Sequence, residues 1–153
     1  MPRVQRSASV TWEGNVARGS GAISAASGAF SELPYSLASR VEQPDGKTSP
    51  EELLAAAHAA CYSMSLAGEL AEAGTPPEQL DVQATVTLDQ VEDGSHRIVA
   101  SEVLARARVQ ETDAATLNRL AAAASEGCPF TKLIEASATV TVNATLEGDP
   151  DGD

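Results

Sequence analysis

The sequence predicts an α+β domain with helices packed on antiparallel sheets, and three observations carry that expectation. Two pairs of segments, within residues 7–24 and 80–109, alternate small or apolar residues with polar ones at period two. Between them, residues 50–73 form a capped, alanine-rich stretch that reads as one long helix. A second helical region at residues 113–135 is followed by one more alternating segment. Strands flanking two helical regions describe an α+β arrangement.

Taken in order, residues 7–14 and 18–24 form a hairpin, because Gly14-Asn15 between them is a turn signal. A third strand is expected over residues 35–41. Gln43-Pro44-Asp45-Gly46-Lys47-Thr48 concentrates turn formers and marks a loop. Ser49 then caps the long helix, Pro50 takes its first position and Glu52 closes a capping box. That helix runs through Leu53, Leu54, Cys61, Met64 and Leu66 to Ala73, where Gly74 and Pro76-Pro77 stop it. Residues 80–91 and 98–109 form a longer antiparallel hairpin around Asp93-Gly94. Thr112 or Asp113 caps a helix through Ala124, Cys128-Pro129 opens a shorter one to Glu135, and residues 138–146 make a last strand. Residues 1–146 are expected to form one domain. Residues 147–153 carry acids, glycine and proline with little to anchor them, and read as a disordered acidic tail.

The chain is 42% hydrophobic but only 3% aromatic, with much of the remainder alanine, which buries little apolar area per residue. A thin core of this kind predicts a homodimer, since association with a second copy recovers missing burial. Ten Lys and Arg against 22 Asp and Glu give a net charge of −12, which repels nucleic acid and anionic lipid alike. Residues 1–20 lack the apolar core of a secretory signal, and no stretch is apolar for the ~20 residues a membrane span needs. The expectation is a cytoplasmic protein without nucleic-acid or membrane partners.

In a reducing compartment, two cysteines serve chemistry more often than structure. Cys61 lies within the long helix, where its bland reading is a small apolar core residue. Cys128 stands between Gly127 and Pro129 at a helix start, where backbone amides favour a thiolate. Peroxide reduction needs one thiolate to attack the O–O bond and a second thiol to condense with the sulfenic acid formed. The two cysteines could divide those tasks if the fold brings them together.

The run Thr48-Ser49-Pro50-Glu51-Glu52-Leu53-Leu54-Ala55-Ala56-Ala57-His58-Ala59-Ala60-Cys61 resembles the signature helix of the OsmC/Ohr family, and Gly127-Cys128-Pro129 resembles its second motif. Trp12-Glu13-Gly14 followed by Arg18-Gly19-Ser20-Gly21 is similar to the OsmC branch. The resemblance spans residues 10–142. It implies an intertwined α+β homodimer with a Cys-bearing helix, interface sites, and thiol-dependent reduction of organic hydroperoxides under oxidative or osmotic stress. It further implies Cys61 as the attacking sulfur, Cys128 as the resolving sulfur, Arg18 as the activating cation and Glu51 as its anchor. An external thiol, by resemblance a dihydrolipoyl group, would reduce the resulting disulfide. No cofactor or metal is expected.

Each role has a bland counterpart: Arg18 as a solvated hairpin charge, Glu51 as a first-turn acid complementing the helix dipole. Arg40 on the expected third strand competes with Arg18. Glu51 and Cys61 are ten residues apart and thus separated by ~15 Å along a straight helix, so a composite site at the subunit interface is expected. His58 shares a helix face with Cys61 and reads as a packing or hydrogen-bonding residue before a general base. His96, beside a turn, faces solvent. Phe130-Thr131-Lys132 after the second motif, and Ser49 where asparagine is frequent, depart from the family pattern. If Leu54 and Phe130 line the entrance, organic peroxides are favoured over hydrogen peroxide. Three alternatives remain: a zinc module using His58, Cys61 and Cys128, a cysteine hydrolase built on Cys61 and His58, and a non-catalytic dimer that binds a ligand.

Overall fold

The computed structural model describes residues 3–148, which hold six strands and four helices in two compact units, one ending at Leu53 and the other beginning at Leu54. The mixed α+β class expected from the sequence is the class observed. Among the described residues no helix is long and apolar enough to cross a membrane.

In the first unit, β1 (Ala8–Glu13), β2 (Ser20–Ala25) and β3 (Leu33–Tyr35) form an antiparallel sheet in that order. Gly21 on β2 pairs with Trp12 on one side and Tyr35 on the other. A Cβ at this position would run into the Thr11 carbonyl and the Tyr35 ring. With none there, the rings of Trp12 and Tyr35 meet at a centroid distance of 5.4 Å, tilted by 49°. Such a pair adds roughly 0.5–1.5 kcal/mol beyond the area it buries.

The expected strand over residues 35–41 is corrected: β3 ends at Tyr35, and Leu37–Val41 is a short helix, α1. The cause is a reciprocal cap. The Ser39 amide donates to Ser36 Oγ at 3.1 Å and the Ser36 amide donates to Ser39 Oγ at 2.9 Å, satisfying groups that strand pairing would otherwise use. Ser39 Oγ also donates to the Thr48 carbonyl at 3.1 Å, while the Thr48 amide donates to that of Pro34 at 2.9 Å. These bonds fold the 43–48 loop back and set the end of α1 beside the start of α2 (Pro50–Glu72). There the Glu52 amide donates to Ser49 Oγ at 3.1 Å, as the capping signal predicts, and the Glu52 carboxylate accepts from Thr48 Oγ1 at 2.8 Å.

In the second unit, α2 buries His58, Tyr62, Leu66 and Leu70, four residues apart and therefore on one stripe. The hairpin of β4 (Gln79–Gln90) and β5 (His96–Arg108) presents Ser101, Val103, Ala105 and Ala107 alternately to the same core. The helix α3 (Ala114–Gly127), capped by Asp113 accepting the Thr116 amide at 2.7 Å, adds Leu117, Leu120, Ala121 and Ala124. After α4 (Pro129–Glu135) the chain enters β6 (Thr139–Leu146), which pairs with β5 in parallel. The antiparallel pairing expected of the long hairpin is observed, and the expectation of antiparallel sheets is corrected to a mixed second sheet of order β4-β5-β6. Alternation assigns faces but is blind to direction, and a crossover through α3 and α4 is long enough to return the chain in parallel.

Glu147, where the acidic tail was expected to begin, is tied down. Its amide donates to the Ala107 carbonyl at 2.9 Å, and its carboxylate accepts from Arg108 Nε and Nη2 at 2.7 and 2.9 Å. Residues 149–153, the rest of that expected tail, lie outside the described residues.

Candidate active site

The second unit brings Cys61 and Cys128 together. Cys61 sits in α2, half-buried against the core, whereas Cys128, between α3 and α4, is 0% exposed; both are free thiols. Pro129 fixes the break between the two helices, since it suits a first helical turn. Cys61 packs against the core cluster that contains Cys128, a meeting that spacing in the sequence left open.

The two sulfurs share their protons unequally. Burial pushes the Cys61 thiol up, and the hydrogen bond it donates toward Cys128 pushes it further, against a smaller opposing pull from the Phe130 amide. Burial opposes ionisation of Cys128 as well, but the Thr131 amide and hydroxyl, the Cys61 thiol and the Phe130 amide together outweigh it and hold Cys128 below the usual thiol range. The neutral Cys128 thiol makes no formed cap bond to α4, so these donors act at longer reach and gain strength when the sulfur is an anion. The first negative charge therefore falls on the sulfur that solvent cannot reach.

Tyr62, one position after Cys61, is buried, and its hydroxyl donates to the Ala121 carbonyl at 3.1 Å. Burial first, and then the charge of Cys128, push its phenol up to about 12, so it stays protonated. His58 is also 0% exposed, with Nδ1 2.8 Å from Ser101 Oγ and Nε2 3.0 Å from Thr131 Oγ1. Burial lowers its pKa against a weaker upward pull from Glu135, which leaves a neutral ring. With both nitrogens engaged by hydroxyls, His58 is the hydrogen-bonding residue the sequence favoured and has no nitrogen for Cys61. The hydrolase and zinc alternatives both needed it. Among the described residues, no three His, Cys, Asp or Glu side chains gather where they could hold a metal ion. Sequence reasoning missed Ser101 and Thr131 as its partners; the one signal for Ser101 was a hydroxyl in line with Val103, Ala105 and Ala107 on a single strand face.

In the first unit, Glu51 at the start of α2 is gripped by Arg40 from α1. Arg40 Nε donates to Oε1 and Oε2 at 2.9 and 3.1 Å, and Nη2 donates to Oε1 at 2.6 Å. Arg18, which the resemblance paired with Glu51, is exposed on the β1–β2 turn, where its amide donates to Asn15 Oδ1 at 3.0 Å. The carboxylate is thus joined to the competing cation and not to Arg18. Arg40 also borders a cavity of about 210 Å³ with apolar walls from Trp12, Val16, Tyr35, Leu37 and Pro50.

A family profile described as OsmC-like protein matches residues 43–143, a span that includes Glu51 and both cysteines. Peroxiredoxin OsmC of Escherichia coli (strain K12) is 40% identical over 129 residues, covering 84% of this chain and 89% of that protein. Among solved structures, the organic hydroperoxide resistance protein OhrB of Bacillus subtilis superposes with a TM-score of 0.70 at 24% identity, covering 91% of this chain and 98% of its own. An OsmC-like protein of unknown function from Vibrio cholerae gives 0.74 at 17% identity, covering 94% and 100%. These two share the fold, and the profile and the bacterial relative place the sequence: the chain belongs to the OsmC-like protein family.

Proposed function

We propose that the chain is a thiol peroxidase that reduces organic hydroperoxides to alcohols, with Cys61 attacking and Cys128 resolving. The observation that carries this reading is the pairing of a solvent-reachable thiol with a fully buried one. An external peroxide reaches only Cys61. Its thiolate attacks the outer peroxide oxygen, the O–O bond breaks, and the alkoxide leaves and takes a proton to become an alcohol. The Cys128 thiolate then attacks the sulfenic sulfur of Cys61, forming S–S as the S–O bond breaks, and the leaving hydroxide takes a proton and departs as water. An external dithiol, for which a dihydrolipoyl group is the candidate by family resemblance, returns the disulfide to two thiols.

The proton-sharing of the pair sets a requirement: because the anion favours Cys128, a cation has to draw charge to Cys61 before attack. Of the two candidates, Arg18 and Arg40, we assign that task to Arg40, because Glu51 holds its guanidinium in a fork that limits wandering. The core includes Ala105, Ala107, Ala121, Ala124 and Ala144, and Met64, Leu104 and Leu133 stay exposed, which supports the homodimer. Turnover with a dithiol reductant tests the activity. Cumene hydroperoxide is consumed faster than hydrogen peroxide, and Cys61→Ser consumes neither; equal or reversed preference would reject the organic substrate.

A further inference from the structure

A line of hydroxyls and one imidazole runs through the core behind the thiol pair. Ser101 Oγ meets His58 Nδ1 at 2.8 Å, His58 Nε2 meets Thr131 Oγ1 at 3.0 Å, and Thr131 lies in the first turn of α4, three residues after Cys128, which stands at the start of that helix. Its members come from β5, α2 and α4, and Ser101, His58, Thr131 and Cys128 are each 0–1% exposed. So closed a line has no bulk water to replace a missing partner, and each polar hydrogen has to be donated to the next member.

A neutral imidazole offers one donor and one acceptor, so its tautomer sets the direction of every bond in the line. In one arrangement Ser101 donates to Nδ1, Nε2–H donates to Thr131 Oγ1, and the Thr131 hydroxyl is left to point its proton at Cys128 Sγ. In the other, Nδ1–H donates to Ser101, the Thr131 hydroxyl donates to Nε2, and the sulfur loses that donor. The first arrangement suits a thiolate at Cys128 and the second a thiol. Ser101 anchors the far end on the middle strand of the second sheet, where both neighbours hold it in register with Val86 and Val140.

We propose that His58, acting through the Thr131 hydroxyl, is a positioning residue for Cys128, aiming a hydrogen bond that holds this sulfur as an oriented nucleophile for condensation with oxidised Cys61. His58 touches neither substrate nor the reacting atoms. Its favourable influence falls on the second step of the cycle, and because it holds charge on Cys128 its loss does not slow peroxide attack at Cys61. This rests on the reading of Cys128 as the resolving sulfur. The titratable groups facing Cys128 are Cys61 and Tyr62 from α2, and His58 itself faces Glu135 from α4.

The test compares Thr131→Val, which keeps shape and removes the hydroxyl, with Thr131→Ser, which keeps the hydroxyl, in the full-length protein. Rapid quench and mass analysis after one equivalent of cumene hydroperoxide give the rates of sulfenic-acid and disulfide formation separately. Thr131→Val slows disulfide formation by about tenfold, as expected for loss of a bond to a charged group, while the first step is not slowed, because charge no longer held on Cys128 returns to Cys61. Thr131→Ser restores the wild-type rate. Equal rates in Thr131→Val and wild type, or equal slowing of both steps, overturns the proposal. Wild type that makes no disulfide at all would instead defeat the assignment of Cys128 as resolver. The relay is then judged in a Cys61→Ser background by thiolate absorbance, where Thr131→Val raises the Cys128 midpoint by about one pH unit and an unchanged midpoint rejects it.

Discussion

Arg40 Nη2 lies 2.6 Å from Glu51 Oε1, with Nε on the same carboxylate at 2.9 Å, so the acid that opens α2 is bound to the cation that closes α1. A fork of this kind fixes the guanidinium in a way an ammonium cannot copy. Arg40→Lys is expected to lower kcat/KM for cumene hydroperoxide on the order of a hundredfold, and Arg18→Lys to leave it within about twofold. Stability changes in Arg40→Lys stay below about 1 kcal/mol because the pair is partly solvated. A large loss in Arg18→Lys with none in Arg40→Lys would return the role to Arg18.

His58 makes stability depend on pH. Its pKa in the folded chain is lowered below 6.5, chiefly by burial, so the unfolded chain binds a proton that the folded one resists. The contribution is therefore complete above pH ~6.5 and is lost as pH falls from there toward the folded value. Urea unfolding at pH ~7.5, ~6.5 and ~5.5 is expected to reveal a decline on the order of 1 kcal/mol below the middle point, absent in His58→Gln. A flat wild-type profile would mean that His58 titrates normally, and a gain in stability below pH ~6.5 that it is already charged in the core.

At Gly21 the missing side chain is a packing requirement. Gly21→Val places a Cβ against the Thr11 carbonyl and the Tyr35 ring, so either β3 shifts or the Trp12–Tyr35 contact opens. A loss of about 2 kcal/mol or more in urea unfolding is expected, with altered Trp12 fluorescence. An unchanged midpoint would contradict the packing described for this sheet.

The parts of the molecule written in local sequence were legible, and those made by distant meetings were not. Ser49 and Pro50 announce the start of α2, Gly74 and Pro76 its end, and both long hairpins follow from alternation around a turn. Residues 35–41 misled because Leu37 to Val41 carries no strong helix signal and its cap uses Ser39 where glutamate or glutamine is usual. The parallel entry of β6 escaped because alternation carries no direction. At the site, the motifs around Cys61 and Cys128 named both sulfurs. Glu51 was named with Arg18 as its first partner and Arg40 as the competitor, since nothing in local spacing tells the two apart. Ser101 and Thr131 reach His58 from 43 and 73 positions away, and no local pattern encodes that meeting.

The division of labour between the two sulfurs is tested most directly by intact-protein mass after one equivalent of cumene hydroperoxide, with wild type and Cys128→Ser treated side by side. The account predicts that wild type loses two hydrogens, as Cys61 and Cys128 bond, and that Cys128→Ser gains one oxygen at Cys61. An oxygen retained on wild type, or a Cys128→Ser protein that peroxide leaves unchanged, would contradict it.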